Sequence, residues 1–449
     1  MNMKPTPESD PQFDGLFDLA VEAVQFALPL YEMARMRSAT CPRTDAAGRL
    51  AGSAADASQR WANQWLHVRE LLGPQHRRVV TPNNDTLYSN AWLDLSAGPI
   101  VIRVPAMQAR YYVLGLLDMY TNPFGCIGTR TTGNEAAAFL LHGPGWRGSV
   151  PEGMQPVACP TNTVWIIGRM LVDGAADLAD AVRLQDQLVI EPAPEGGAQA
   201  PCRIDAGMQP NEKPGDAMRF VEVVNAVLAA NPPPLAEGER VASFERVGVG
   251  ARCAGKALDA RVRETLARAI AHVTDALSGA PALALGGGWA LPVDVRESFG
   301  ADYRERAQVA LNYIGALGIE EAMYITADFD SSGACLDGGC TYVVYFAAGQ
   351  GPQVDAFWSL TAYEKATCML AENEIGRYSL GDRTRGLRHD ADGGLRIAIS
   401  AVEPHDPVLR ANWLPAPAGR FYLALRLYVP REVHISRRFV YPPVVRQSV

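Results

Sequence analysis

The sequence predicts a mainly β protein of the α+β class, with two antiparallel β-sandwich domains, an N-terminal helix and a helical middle segment. Three observations predict this class. Stretches with alternating polar and apolar residues, typical of half-buried strands, fill two separate regions of the chain. Apolar residues at helical spacing lie between these regions and before the first one. Strands and helices do not alternate regularly, which disfavours a doubly wound parallel sheet.

The bulk composition is that of an ordinary globular protein, and it narrows the possible partners. The chain has 449 residues, 48% of them hydrophobic and 20% charged, so it can build more than one core. The formal net charge of −8 argues against nucleic acid as the main partner, because phosphate binding requires clustered Lys and Arg. No apolar run reaches the roughly 18 residues of a membrane span, so no membrane partner is expected.

The N-terminal stretch and the cysteines predict the cellular compartment of the protein. The stretch MNMKPTPESDPQFDG has no basic segment followed by an apolar one, as a signal peptide would. The 8 cysteines are dispersed without a CxxC pair, which is typical of reduced, buried thiols. The sequence therefore predicts a cytoplasmic protein.

Four regions are predicted along the chain. Residues 1–58 form an N-terminal helix and loop, with helical spacing from Phe13 to Tyr31 and a kink or break expected at Pro29. Residues 59–202 form a β-rich domain with the strands LYSNAWLDL, PIVIRVP, RYYVLGLLD, TVWIIGRMLV and QDQLVIEP. Residues 203–320 are a helical linking region, and residues 321–449 a jelly-roll-like β domain.

Familiar cofactor and metal motifs are incomplete. GARCAGKA at 250–257 has the spacing of a phosphate loop, but Ala257 replaces the hydroxyl residue that binds magnesium. DFDSSG begins like a calcium loop, yet Gly339 stands where a bidentate Glu is required. The 7 histidines show no ligand spacing. The sequence therefore predicts neither a cofactor nor a metal site.

Polar side chains crowd the stretch TPNNDTLYSNAW at residues 81–92, which leads into a predicted strand. Along this strand Leu87 and Ala91 occupy one face, whereas Tyr88, Asn90 and Trp92 occupy the other. Leaving Trp92 in water would forgo about 2 kcal/mol of burial, so we expect another element, a subunit or a ligand cavity to cover this second face.

A second strand, RYYVLGLLD, runs from Arg110 to Asp118 and opens onto the polar loop DMYTNPFG. An acid beside an arginine and a tyrosine can perform general acid–base chemistry or bind an anion. The predicted catalytic residues are Asp85, Asp118, Tyr88 and Tyr120. The predicted substrate-binding residues are Asn83, Asn84, Asn90, Arg110, Asn122, Trp358, Arg377 and Arg426. We expect Asn84, Asp85, Tyr88, Arg110, Asp118 and Tyr120 to line one cavity, together with Trp358 or Arg426.

Structural interpretations of the same residues stay open. Asn83, Asn84 and Asp85 are also suited to Asx turns, and Arg110 to an ion pair at a sheet edge. In GRFYLALRLYVP, Arg426 lies between two tyrosines, an arrangement that can bind a planar or sugar-like ligand or form an interface between sheets or subunits.

Long stretches of the chain resemble a known pair of families. VTPNNDTLYSNAWLDL, RYYVLGLLDMYTNPFGCIGTRTTG and LLHGPGW resemble domain-of-unknown-function family 1254. AFWSLTAYE, GRYSLGDRT, DADGGLRIAIS and NWLPAPAGRFYLALRLYVP resemble its usual C-terminal companion, family 1214. The resemblance implies two β-sandwich-rich domains, the second jelly-roll-like, often assembled into homo-oligomers. It implies no general reaction and no catalytic residue, and the tail ISRRFVYPP departs from the usual pattern of a glycine and a tryptophan before the prolines.

Two functions are compatible with these observations. The first is a cofactor-independent hydrolase or lyase that acts on a small polar organic molecule, since titratable groups converge at two strand ends. The second is a non-catalytic protein that binds a carbohydrate or another small ligand, since aromatic and arginine faces are present without a nucleophile motif. A buried carboxyl group with a raised pKa would favour the enzyme.

Overall fold

The computed structural model describes residues 11–43, 60–77, 80–194, 202–204, 210–279 and 282–447. Most of the loop predicted between Thr40 and Ser58 lies outside these ranges. In them, the α-helices are α1 (Pro11–Thr40), α2 (Leu178–Gln185), α3 (Ala217–Ala230), α4 (Gly238–Ser243), α5 (Ala260–Leu277), α6 (Tyr303–Asn312), α7 (Pro407–Ala411) and α8 (Glu432–Ile435).

The strands of the first half are β1 (Arg60–Ala62), β2 (Leu66–His67), β3 (Thr86–Asp94), β4 (Ile100–Val104), β5 (Tyr112–Leu117), β6 (Gly125–Gly128), β7 (Ala137–His142), β8 (Met154–Ala158), β9 (Thr163–Leu171), β10 (Val189–Pro192) and β11 (Cys202–Ile204). The strands of the second half are β12 (Leu283–Gly286), β13 (Trp289–Leu291), β14 (Ala322–Ala327), β15 (Tyr342–Phe346), β16 (Val354–Glu364), β17 (Ser379–Gly381), β18 (Leu395–Ser400), β19 (Trp413–Pro415), β20 (Phe421–Pro430) and β21 (Val445–Arg446).

The N-terminal domain is a sandwich of two sheets. A five-stranded sheet has the order β2-β3-β9-β5-β6, and a four-stranded sheet has the order β10-β4-β7-β8. Leu87 and Ala91 from the first sheet pack with Ile102 and Phe139 from the second in one buried cluster. The alternation in β3 predicted this inner face correctly, because successive side chains of a strand point to opposite sides of the sheet.

The C-terminal domain is a second sandwich. A six-stranded sheet has the order β12-β13-β14-β20-β16-β17, and a four-stranded sheet has the order β19-β18-β15-β21. The chain passes repeatedly between these sheets, as expected for a jelly-roll-like arrangement. The cluster between them contains Leu423, Leu425 and Leu427 of β20 together with Val344 and Ile397 of the opposite sheet. Most strand pairs are antiparallel, but β7–β8 and β18–β19 are parallel.

Helices α1 and α3–α6 form one cluster, in which α1 contacts α3, α5 and α6. Pro29 neither divides α1 nor ends it, since the helix continues to Thr40. This cluster covers part of the outer face of the five-stranded sheet, where Trp92 is fully buried and stacks on Trp165 with ring centroids 5.1 Å apart. The helices are therefore the cover that the sequence required for Trp92.

The rest of this outer face meets the C-terminal domain. Tyr111 and Val113 of the N-terminal domain pack with Ala322, Phe357 and Tyr428 in a small buried cluster. These three residues lie on the face of the six-stranded sheet that points away from its own sandwich core, because their strand neighbours fill that core. The two β domains thus meet sheet against sheet, next to the helical cluster.

Candidate functional site between the two β domains

Arg169 is the central polar residue of the contact between the domains. It belongs to β9, whose neighbours β3 and β5 place Tyr88 on one side of it and Val113 on the other. On the same face of β9, Ile167 and Trp165 are apolar and buried, and Leu171 is apolar and partly buried. Along β9, the guanidinium group of Arg169 therefore has apolar neighbours on its face of the strand.

The guanidinium group of Arg169 lacks the partners that a buried charge normally has. Arg169 is 8% exposed, and its Nε and Nη1 atoms have no hydrogen-bond partner among the described residues. Its Cζ lies 5.9 Å from the ring centroid of Tyr88 and 6.0 Å from that of Tyr324, in cation–π arrangement. Within the described ranges, no carboxylate forms an ion pair with it. Because an arginine stays charged, this burial costs free energy unless an anion compensates it.

Tyr324 brings the C-terminal domain to this cluster. It lies on β14, directly beside Arg426 of β20, which in turn lies beside Ser359 of β16. The Tyr324 hydroxyl is buried and has no hydrogen-bond partner among the described residues. Burial raises the pKa of Tyr324, so the phenol keeps its proton at neutral pH and can donate it in a hydrogen bond. As whole residues, Tyr88 and Tyr324 are partly exposed.

Arg426 adds a second buried positive charge. It is 2% exposed and donates to the Thr361 hydroxyl at 3.2 Å and to the carbonyl oxygen of Thr81 at 2.9 Å. Its Cζ lies 5.4 Å from the Tyr363 ring centroid. These hydrogen-bond partners are neutral and orient the guanidinium group, while the nearby Asp85 carboxylate helps to keep the pKa of Arg426 raised.

The loop that begins TPNND belongs to the N-terminal domain and forms hydrogen bonds with the C-terminal domain. Asp85 is 5% exposed and accepts hydrogen bonds from Ser359 at 2.6 Å, Ser379 at 3.2 Å and Arg383 at 3.2 Å, all of them in the C-terminal domain. Asn83 accepts from the Asp85 amide at 2.6 Å in an Asx turn, and its amide donates to Tyr428 at 2.5 Å. The carboxylate is therefore fully used in holding the domains together.

Asp118, Tyr120 and Asn122 form a different group, next to the helices. Asp118 is 3% exposed and accepts from the backbone amides of Tyr120 and Asn122, at 2.8 and 3.0 Å, and from the Asn122 side chain at 2.8 Å. Burial raises the pKa of Asp118 to about 6. The Tyr120 hydroxyl donates to the carbonyl of Asn231 at 2.9 Å. Arg306 of α6 lies over the Tyr120 ring at 5.3 Å.

The expected single cavity is therefore not what the structure shows. Val113 is the β5 neighbour of Arg169, and Asp118 follows five residues later, about 17 Å further along the strand direction. Arg110 lies at the opposite end of β5, where it forms an ion pair with Asp177 and donates to the Leu171 carbonyl, both at 2.5 Å. Arg110 and Asp118 cannot act on one small molecule, since a whole strand separates them.

The remaining predicted residues are also dispersed. Asn84 donates to the Leu72 carbonyl at 2.6 Å. Asn90 is half-buried and lies two positions from Tyr88 on the same sheet face. Trp358 belongs to the core of the C-terminal sandwich, and Arg377 donates to the carbonyls of Ala411 and Trp413, at 3.2 and 2.8 Å. Of the residues predicted from the sequence, Tyr88, Asn90 and Arg426 lie nearest to Arg169.

Sequence reasoning missed Arg169, Tyr324 and Arg383. A signal for Arg169 was present, because TVWIIGRML is an apolar strand with a single charged residue, and such a residue must find a buried partner or a ligand. Tyr324 and Arg383 gave no comparable signal. Their importance comes from contacts between domains that local spacing does not encode.

Clustered metal ligands and membrane-spanning helices are both lacking in the described residues. No group of three or more His, Cys, Asp or Glu side chains in these ranges is arranged to hold a metal ion. No helix in the described part of the chain has both the length and the apolar character needed to cross a bilayer.

The chain is similar to known structures over nearly its whole length. The crystal structure of the VPA0106 protein from Vibrio parahaemolyticus is 26% identical, matches with a TM-score of 0.73, and covers 96% of this chain and 100% of its own. A crystal structure from Burkholderia cenocepacia is 14% identical with a TM-score of 0.42, over 98% of this chain and 91% of its own. No curated protein matches the chain.

Family models match both β domains. The model described as "Protein of unknown function (DUF1254)" matches residues 62–192, and the model described as "Protein of unknown function (DUF1214)" matches residues 321–432. The first match contains Arg169 and the second contains Tyr324 and Arg426, so the candidate site draws on both. The chain therefore belongs to the family of two-domain proteins in which a DUF1254 region precedes a DUF1214 region.

Proposed function

We propose that the protein binds a small organic anion at Arg169, in the contact between its two β domains. One observation carries the proposal: a guanidinium group that is 8% exposed has two nitrogen atoms without a hydrogen-bond partner among the described residues. A buried charge is normally paired, and leaving it unpaired costs several kcal/mol. A carboxylate would restore the balance through charge-assisted hydrogen bonds.

The surroundings of Arg169 support an organic rather than a purely inorganic anion. The rings of Tyr88 and Tyr324 flank the guanidinium group, and as whole residues both are partly exposed. Aromatic walls with a few fixed polar groups are typical of sites for small organic ligands. Neighbouring Asn90 adds an amide to the same sheet face.

A second candidate function is catalysis, as a cofactor-independent hydrolase or lyase. The observation that favours it is the pKa of Asp118, which burial raises to about 6, so that this carboxyl group could both give and take a proton near neutral pH. Asp118 lies beside Arg306 rather than Arg169, so catalysis at this residue would need its own substrate position. Asp118→Asn should then abolish turnover of any substrate found, and unchanged turnover would remove this candidate.

The assembly and compartment of the protein are further parts of the proposal. A homo-oligomer is supported by the family resemblance, and a cytoplasmic location by the dispersed cysteines. Light scattering coupled to size-exclusion chromatography tests the first, and a monomer at micromolar concentration would contradict it. Fractionation of the cells that produce the protein tests the second, and recovery of the chain outside the cytoplasm would contradict it.

Thermal unfolding in the presence of sodium propionate tests anion binding directly. A ligand that binds only the folded protein stabilises it by about 2.7 kcal/mol at one hundred times its Kd. We expect propionate to raise the melting temperature of the wild-type protein with a saturating dose response. Sodium chloride at equal ionic strength should have a smaller effect without saturation.

Two variants decide whether Arg169 is responsible. Arg169→Met keeps the length of the side chain but removes its charge, and it should eliminate the saturating response. Arg103→Met is the matched control, because Arg103 is a half-exposed β4 residue whose partner is Glu191. If both variants respond to propionate like the wild type, Arg169 is not the binding residue.

A further inference from the structure

We propose that the anion bound at Arg169 is a small carboxylate with an oxygen acceptor on the carbon next to the carboxylate, as in a 2-oxo acid. This inference rests on the proposed function and specifies its ligand. It starts from the third unused polar group of the cluster, the hydroxyl of Tyr324, which is buried and without a hydrogen-bond partner among the described residues.

The unused groups of the cluster can all act as donors. Nε and Nη1 of Arg169 are N–H groups that cannot accept a hydrogen bond, and the Tyr324 hydroxyl carries a proton at neutral pH. The Tyr324 ring is next to the Arg169 guanidinium group, with Cζ 6.0 Å from the ring centroid. A ligand that satisfies these groups must present several acceptors close together. A plain carboxylate satisfies the guanidinium group, whereas the phenol calls for one more oxygen.

The charges around Tyr324 determine which charge is favoured on the second polar group of the ligand, the group that meets the phenol. Tyr324 lies between Arg169 of the N-terminal domain and Arg426, its direct neighbour on β20. Both guanidinium groups raise the electrostatic potential at the phenol, as their lowering contributions to its pKa show. An oxygen with partial negative charge is favoured there, and an ammonium group is disfavoured by two like charges.

The same reasoning excludes 2-amino acids as ligands. Their carboxylate would suit Arg169, but their ammonium group would lie where the Tyr324 hydroxyl requires an acceptor, next to the positive charge of Arg426. Asp85 is the buried carboxylate closest in sequence to Tyr88, and its oxygens already accept from Ser359, Ser379 and Arg383. It therefore has no free oxygen for an ammonium ion.

Three ligands of nearly equal size test this inference on the wild-type protein. Pyruvate has the second oxygen, propionate lacks it, and alanine replaces it with an ammonium group. Isothermal titration calorimetry at neutral pH should show pyruvate binding about tenfold more tightly than propionate, the effect of one added hydrogen bond. Alanine should bind more weakly than propionate.

A single isosteric variant then tests whether the Tyr324 hydroxyl causes the preference for pyruvate over propionate. Tyr324→Phe keeps the ring beside Arg169 and removes the hydroxyl that has no partner, so the fold should persist. We expect pyruvate affinity to fall to that of propionate, while propionate affinity stays as in the wild type. Tyr345→Phe is the control, since this hydroxyl bonds to Asp392 at an exposed position of the C-terminal domain.

The possible results separate this inference from the proposed function. If none of the three ligands binds, the proposed function itself fails. If propionate binds and pyruvate binds no more tightly, or if alanine binds as well as pyruvate, the anion site stands and the ligand class is wrong. Unchanged pyruvate preference in Tyr324→Phe would likewise overturn the role of the hydroxyl.

Discussion

Two buried arginines, Arg169 at the domain interface and Arg306 in the helical cluster, have similar aromatic surroundings but different nearby charges. Each is less than one tenth exposed, each has tyrosine rings around its guanidinium group, and each has two nitrogen atoms without a hydrogen-bond partner among the described residues. Arg306 lies 5.3 Å from the Tyr120 ring centroid and 5.0 Å from that of Tyr303. The contacts of the two arginines with aromatic rings are therefore alike.

The difference lies in the counter-charges. Burial lowers the pKa of Arg306, and the nearby carboxyl groups of Glu237 and Asp118 oppose that effect. For Arg169, the groups that oppose burial most strongly are phenols, beginning with Tyr324 and Tyr88. The acids Glu237 and Asp118 thus lie near Arg306, whereas no acid is among the groups that oppose burial most strongly at Arg169. We take this contrast as the distinction between a structural charge and a ligand site.

The largest expected effect is on stability when each arginine is replaced by methionine. Arg306→Met should lower the free energy of unfolding by about 3 kcal/mol at neutral pH, because Asp118 and Glu237 lose their buried counter-charge. Arg169→Met should cause no loss, or a gain, since it removes a buried charge that has no acid partner. Urea unfolding without added organic anions measures both.

Two results from this pair of variants would contradict the proposed difference between Arg169 and Arg306. Equal losses for Arg169→Met and Arg306→Met would mean that Arg169 is as structural as Arg306. A gain in stability for Arg306→Met would mean that its neighbouring acids do not act as counter-charges.

The next expected effect is the pH dependence of the unfolding free energy that Asp118 contributes. Its pKa in the folded protein is about 6, above the ordinary value of 3.8. The folded state therefore binds this proton more tightly, and the stability it contributes is complete below about pH 4 and is lost as pH rises through about 6. We expect the free energy of unfolding to fall by about 3 kcal/mol over this range on account of Asp118.

Comparison with Asp118→Asn separates this contribution from other titrating groups. The difference between wild type and variant should change by that amount between about pH 4 and neutral pH. A difference that stays constant with pH would show that Asp118 has an ordinary pKa, and it would weaken the contrast between the two arginine clusters.

The smallest effect compares two phenol hydroxyls, one from each cluster. Tyr120→Phe removes a buried hydrogen bond to the Asn231 carbonyl and should cost about 1 kcal/mol of stability. Tyr324→Phe removes a hydroxyl without a partner among the described residues, so the unfolding free energy should stay within about 0.5 kcal/mol of the wild type. If Tyr324→Phe is the more destabilising change, its hydroxyl has a structural role and is not reserved for a ligand.

The sequence predicted the strands and their faces well, because that information is local. Alternation in β3 and β20 identified Leu87 and Leu425 as core residues, and the structure buries both. Pro29 was a partial failure, since neighbouring helices stabilise α1 through the position where isolated propensity favours a break.

The candidate site was harder to predict because it is built from contacts between distant segments. Asp85 and Asp118 both looked suitable for a pocket, but one holds the C-terminal domain and the other closes a turn beside the helices. The pairing of Arg169 with Tyr324 joins residues from two separate sheets. No spacing within either strand records that meeting.

Because the candidate site is divided between two domains, a gene must carry both regions to encode the complete site. The region matched by the first family model, residues 62–192, carries the arginine, and the region matched by the second, residues 321–432, carries the phenol and Arg426. A gene that acquires one region alone therefore lacks part of this set of donors. Fusion partners that separate the regions by a rigid spacer would lose the set as well. If the proposed anion is the ligand, selection for its binding acts on both regions together.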